Sequence, residues 1–357
     1  MDSHFHRTYY FLLPNLDAGG AERVTITIAR LLKRDHKHVE FINLGSPNGE
    51  MLSWLTPEFV LHSFGCKRVL SALPKLCRFM KQHPDGCYFS SLEHVSLIGL
   101  VAAGFAHKDF IVRIPNMPKN NLYTGIKGIK SHIVKSFNRF LQPRAKYIIA
   151  QNDEMRTQVM DFYGLPASKV VAINNPVDQE YIIKAAEDSP NPYNNRGTVF
   201  LAAGTLDYRK GYDILIKAWP KVKRAIPDAG LFIIGRDNTS CAQGIKEEAT
   251  KCKDITFLGF RNNPYPYFKH CDVFVLPSRM EGFPNVVLEA MCFNKPVACT
   301  ACVNVIKDII KPAINGYYCD VEDPDALADA MIKASRLKGI NNTYSLFDKE
   351  KLLEVFD

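Results

Sequence analysis

The hydrophobic pattern constrains this chain most. Short apolar runs alternate with stretches of helical periodicity along nearly its whole length. Residues 9–13 (YYFLL) are followed by a Gly19-Gly20 turn and a helix-like AERVTITIARLLKR. Strand-like runs recur at 39–45, 87–92, 109–114 and 146–151, with helical stretches near 73–83 and 97–105. The rhythm resumes at 198–205, 230–236, 255–260, 272–278 and 296–300, with helical stretches at 211–225, 284–293 and 325–337. Strand, crossover helix, strand at this spacing builds a parallel sheet. The runs are apolar on both faces, as helices covering both sides of a sheet require.

Near the middle, Asn174-Asn175-Pro176 breaks regular structure, and the polar stretch 187–197 follows. A chain of 357 residues is about twice a typical domain. We therefore expect an α/β protein of two doubly wound domains, residues 1–180 and 181–342. Residues 343–357 are expected to form a helix packing back toward the first domain. Ligands of such folds sit at the carboxyl ends of strands, in the cleft between domains.

Composition excludes several classes. No run of 18 apolar residues is present, so no spanning helix is expected, and the start reads as a buried strand rather than a signal peptide. The ten cysteines show no paired metal-ligand spacing and read as reduced thiols of a cytoplasmic protein. A net charge of +8 without aromatic-interleaved basic motifs argues against nucleic acid as a partner. The charge is uneven, however. Residues 1–180 carry 22 Lys/Arg against 15 Asp/Glu, and no acid occurs between Asp109 and Asp153.

The segment 272–300, DVFVLPSRMEGFPNVVLEAMCFNKPVACT, carries the chemistry. A buried strand leads through a loop into a helix, with Pro284 suited to the first helical position. The free N–H groups at that helix start would favour an anion. Glu281 lies in the loop and Glu289 a turn inside the helix. A carboxylate can accept two hydrogen bonds from vicinal sugar hydroxyls, as acidic residues do for ribose in dinucleotide folds.

This segment resembles the EGFPxxxxEA signature of retaining glycosyltransferase family 4, whose fold is GT-B: two Rossmann-like domains with a donor/acceptor cleft between them. Gly19-Gly20-Ala21-Glu22 resembles the family's GGAE turn. KVVAINNPVD (169–178) is similar to its domain junction, GTLDYRKG (204–211) to its basic phosphate loop, and FLGF (257–260) to the strand before its base-binding loop.

The resemblance implies transfer of a sugar from a nucleoside diphosphate sugar with retention, without cofactor or metal, and with UDP favoured over GDP by family usage. It implies that Glu281 contacts the transferred sugar. The backbone of Gly282, Phe283, Pro284, Asn285 and Val286 holds sugar and phosphate, and Glu289 binds ribose. Arg209 and Lys210 neutralise the diphosphate, while Gly19 and Gly20 bring first-domain backbone close to it. The chain also departs from the pattern. Thr205 replaces a common arginine of the donor loop, Asn294 replaces a turn glycine, and residues 303–308 replace a Gly-Gly loop. His94, Arg113 and Asn116 are the candidates for the acceptor side, with core or surface roles as the alternative.

Residues 125–144 place Ile126, Ile129, Ile133, Phe137 and Phe140 at helical spacing among basic residues. Such a helix either packs its stripe into a core or lies peripherally on an anionic membrane surface. A basic first domain suits a glycan or lipid-linked glycan acceptor. Two other readings remain: a non-catalytic binding relic and a nucleotide-sugar epimerase of the same fold.

Overall fold

The computed structural model describes residues 7–116, 136–194 and 197–357. The chain divides into two compact units. One comprises Met1–Pro176 with Leu346–Asp357, the other Val177–Ser345. Sequence placed the changeovers at 180 and 342.

Among its described residues the first unit holds a seven-stranded sheet. Its strands are β1 (Thr8–Leu13), β2 (His38–Asn43), β3 (Val60–Ser63), β4 (Cys87–Ser90), β5 (Asp109–Arg113), β6 (Tyr147–Ala150) and β7 (Val170–Ala172). The order is β3-β2-β1-β4-β5-β6-β7, and every pair is parallel. β1 is buried along almost its whole length, so YYFLL reads as a central strand. Helix Gly20–Arg34 buries Val24, Ile28, Ala29 and Leu32 at helical spacing and ends on Lys33 and Arg34, which favour its carboxyl end.

The terminal helix Lys349–Phe356 completes this unit. Asp348 caps it by accepting from the Lys351 amide (2.9 Å). Leu352, Val355 and Phe356 enter the core beside β1, where Phe356 stacks on Phe11 with ring centroids 6.0 Å apart. The Tyr9 hydroxyl donates to the Phe356 carbonyl, and Asn174 Nδ2 donates to the Leu346 carbonyl (2.9 Å).

The second unit holds a six-stranded parallel sheet. Its strands are β8 (Val199–Ala203), β9 (Gly230–Ile234), β10 (Ile255–Gly259), β11 (Val273–Leu276), β12 (Val297–Thr300) and β13 (Gly316–Cys319), in the order β10-β9-β8-β11-β12-β13. Trp219 and Phe200 anchor its core. Asn294 adopts φ +54°, a left-handed conformation that asparagine tolerates better than most side chains, which accounts for its place at a glycine turn.

Strand order reverses between β1 and β4 in one sheet and between β8 and β11 in the other. The carboxyl ends at these two reversals are where doubly wound folds place ligands.

Candidate active site

In the second unit the chain after β8 turns through Gly204 and Thr205 into a 3₁₀ turn, Tyr208–Lys210, capped by Asp207, whose carboxylate accepts from the Lys210 amide (3.1 Å). Gly211 follows at φ +64°. A Cβ there would lie 2.0 Å from the Pro277 carbonyl oxygen, so only glycine lets this turn meet the chain after β11.

That second stretch runs from Pro277 to Pro284. Ser278 is buried and Glu281 keeps 11% of its side chain exposed. Glu281 Oε1 accepts from Lys210 Nζ at 2.7 Å and from Ser278 Oγ at 2.7 Å. The loop is held in turn by Thr300 at the end of β12, whose hydroxyl donates to the Ser278 carbonyl. Burial and the Glu281 charge push the Cys302 thiol up to about 12, so it stays protonated.

Lys210 and Glu281, 71 residues apart, are thus paired beyond the β8/β11 reversal. Arg209 is more open, with half its side chain exposed and Nη2 2.9 Å from Asp207 Oδ2. Gly282, Phe283 and Pro284 are buried; Thr205, Asn285, Val286 and Glu289 are half-buried. The helix runs Asn285–Met291, so Pro284 precedes it rather than opening it. At seven residues the helix is short, and both nearby cations are paired, Lys210 with Glu281 and Arg209 with Asp207. Residues 303–308 form no glycine loop. Val305, Ile306 and Ile309 of the short helix Val305–Ile309 are buried instead.

Sequence reading missed Ser278 and Arg279. Arg279 binds Asp213 and Glu322 at once, and neither partner is near it in sequence. Ser278 stands three residues before Glu281, which is the one local signal that could have singled it out.

The first unit carries a cavity of about 630 Å³ lined by Asn15, Asp17, Gly19, Glu22, Arg68 and His94 among others. It lies beyond the β1/β4 reversal. Burial pushes the Glu22 carboxyl above its usual range. Gly19 caps helix Gly20–Arg34, and a Cβ there would meet Glu22 Oε2 at 2.3 Å; a Cβ on Gly20 would meet nothing within 4 Å. The contact at Gly19 is with the movable end of the Glu22 side chain, so neither glycine is held by backbone crowding. His94 is exposed on this cavity wall.

Arg113 and Asn116 do not line it. Arg113 is buried at the end of β5 and donates from Nη2 to Asn175 Oδ1, while Asn175 Nδ2 donates to Gln151 Oε1 (3.0 Å). Burial without a carboxylate partner lowers the guanidinium to about 9. Asn116 is half-buried.

Of the basic segment 125–144, residues 125–135 lie outside the described residues. Residues 136–141 are helical, and Phe137 and Phe140 are 47% and 62% exposed rather than packed in a core. The Arg144 guanidinium lies 3.9 Å from the Phe140 ring centroid. Among the described residues no helix is long and apolar enough to cross a membrane, and no group of three or more His, Cys, Asp or Glu could hold a metal ion.

Residues 18–181 match the family Glycosyltransferase Family 4, and residues 183–346 match Glycosyl transferases group 1. The chain is a family 4-like glycosyltransferase with the GT-B fold. It is 27% identical over 308 residues to the N-acetylgalactosamine-N,N'-diacetylbacillosaminyl-diphospho-undecaprenol 4-alpha-N-acetylgalactosaminyltransferase of Campylobacter jejuni, covering 80% of this chain and 78% of that one. It is 27% identical to the lipopolysaccharide 1,6-galactosyltransferase of Salmonella typhimurium, covering 52% of this chain and 50% of that one. Among solved structures, Anabaena HepE in complex with UDP and glucose superposes with a TM-score of 0.78 at 18% identity, covering 98% of each chain.

Proposed function

We propose that this glycosyltransferase moves a sugar from a nucleoside diphosphate sugar, UDP rather than GDP, to a hydroxyl of a glycan or lipid-linked glycan, retaining anomeric configuration and needing no metal. The observation that carries the donor end is the Lys210–Glu281 pair, 2.7 Å apart at a strand reversal with Arg209 beside it. As the bond between the sugar and the diphosphate breaks, negative charge grows on the phosphate oxygens. Lys210 and Arg209 are fixed cations for that charge, already oriented before reaction.

Glu281 spends only Oε1 on Lys210 and Ser278, which leaves Oε2 for the hydroxyls of the transferred sugar. Glu289 takes the ribose. The first unit's cavity takes the acceptor, with His94 on its wall. Its titratable groups are mixed in sign, so it suits hydroxyl-rich acceptors as well as anionic ones. The bacterial relatives named for undecaprenyl-diphosphate and lipopolysaccharide acceptors support a lipid-linked glycan.

Nucleotide release from UDP-glucose, UDP-galactose, UDP-N-acetylglucosamine, UDP-N-acetylgalactosamine and GDP-mannose tests the reading. Turnover abolished in Glu281→Ala and Lys210→Ala is the expected outcome. Tight donor binding by the wild type without turnover would instead make this chain a binding relic.

Exposed Phe137 and Phe140 with neighbouring Arg139 and Arg144 favour attachment to an anionic membrane surface, on its cytoplasmic face. Flotation with anionic liposomes at low salt tests this. Binding that survives Phe137→Ser/Phe140→Ser and Lys127/Lys130/Lys135 substitution removes the idea.

A further inference from the structure

The guanidinium of Arg279 is placed with unusual completeness. Nε donates to Glu322 Oε1. Nη1 donates to the Tyr208 carbonyl at 2.8 Å and to Asp213 Oδ1 at 2.7 Å. Nη2 donates to Asp213 Oδ2 at 2.7 Å and Glu322 Oε2 at 3.1 Å. All five N–H groups of the fork are used. The group also lies 4.1 Å from the Tyr208 ring centroid and keeps only 8% of its side chain exposed. The Arg279 amide adds a bond of 2.7 Å to the Arg209 carbonyl.

Its partners define what it does. Tyr208 and Arg209 belong to the turn after β8, Asp213 to the helix Tyr212–Ala225 that this turn opens, and Glu322 to the loop after β13. Arg279 itself stands two residues before Glu281. One side chain therefore ties the turn carrying Lys210 to the loop carrying Glu281, and braces both against a third loop.

We infer that Arg279 is a positioning residue of the donor site: its side chain holds Lys210 and Glu281 in register through the Tyr208 carbonyl and Asp213. This rests on the reading of those two residues given above. The fork is the reason an arginine stands here. Lysine brings the same charge but three donors on a flexible stem, and cannot make two bidentate pairs and a carbonyl bond. Neither acidic partner needs Arg279 for the fold, because Asp213 and Glu322 are 37% and 56% exposed and become hydrated when it is removed.

The mechanism predicts a loss of positioning rather than of nucleotide affinity. A displacement of about 1 Å at a reacting group costs on the order of 100-fold in rate. The experiment compares wild type, Arg279→Lys, Arg279→Met, Lys210→Met, Glu281→Gln and the double variant Arg279→Met/Lys210→Met, all as full chains. Nucleotide release from the same sugar-nucleotide panel gives kcat and KM, calorimetry with UDP gives Kd, and hydrogen exchange is read on residues 205–211. In both Arg279 variants, exchange at Lys210 and Gly211 is expected to rise about 10-fold and kcat to fall between about 10- and 100-fold. Donor KM and UDP Kd are expected to move less than about three-fold, and the double variant is expected to be no slower than Lys210→Met.

Unchanged exchange in Arg279→Lys, or a double variant whose losses simply multiply, overturns the positioning role. Full activity in Lys210→Met and Glu281→Gln overturns the donor-site reading instead. Inactive Lys210 and Glu281 variants alongside fully active Arg279 variants leave that reading standing and remove Arg279 alone.

Discussion

Lys210 Nζ and Glu281 Oε1 stand 2.7 Å apart, so the cation assigned to a diphosphate already has a carboxylate partner. Their side chains are 21% and 11% exposed, which keeps the attraction only partly screened. A phosphate group competes with Glu281 for the same ammonium.

Glu281→Gln should therefore separate affinity from turnover. UDP lacks the sugar proposed to meet Glu281, and it gains a Lys210 freed from its carboxylate. Its Kd is expected to tighten about two- to five-fold, the scale of a partly exposed ion pair. Turnover of the sugar nucleotide is expected to collapse. Calorimetry with UDP beside a nucleotide-release assay checks both signs, and weaker UDP binding would refute the competition.

Gly211→Ala tests the contact between the two site loops. The φ of +64° strains any Cβ-bearing residue, and the new carbon would meet the Pro277 oxygen at 2.0 Å. Strain of this kind costs about 1–3 kcal/mol before the clash is relieved. The second unit should melt earlier, and turnover should fall because relief moves Lys210 away from Glu281. A melting curve equal to wild type would show that the loops part freely.

Glu93 makes the first unit sensitive to pH. Burial raises its carboxyl to about 7, against an Asn138 hydrogen bond of 3.0 Å that acts the other way. The unfolded chain ionises near the usual value of 4.5, so Glu93's contribution is fully present below that value and is lost as pH rises through about 7. Glu93→Gln keeps an oxygen for Asn138 and should raise Tm at pH 8 by about 2–4 °C, with no gain at pH 4. Thermal unfolding at the two pH values measures it.

Phe356→Ala examines the terminal helix. Phe356 is fully buried against Tyr9, Phe11 and Phe89. Truncating a buried phenylalanine costs about 3–5 kcal/mol. The loss should fall on the first unit, with the second unit's hydrogen exchange unchanged, and exchange measured along both sheets resolves the two.

Much of this architecture is legible in the sequence because its signals are local. A strand such as YYFLL is apolar on both faces, and that pattern does not depend on distant partners. Glu281 stands out because a loop, a proline and a helix frame it within ten residues. Arg279 sits in the same segment and looks like an ordinary loop cation. Its meaning comes from Asp213 and Glu322, which lie 66 and 43 residues away and meet it only through the parallel sheet. Arg113 misleads for a related reason. Its place after a strand suggests an exposed ligand contact, yet its partner Asn175 is 62 residues on and draws it inward. Phe137 and Phe140 have core spacing, but spacing does not say whether anything covers them.

The first unit takes its last core residues from chain that follows the second in sequence. During synthesis, β1 waits for Phe356, which stands 345 positions after Phe11. The second unit, a continuous stretch from Val177 to Ser345, has no such wait. Until Phe356 arrives, Phe11 and Phe89 lack the ring that covers them in the folded unit. Closure of the first unit is thus coupled to the arrival of a segment that lies beyond the whole second unit in sequence.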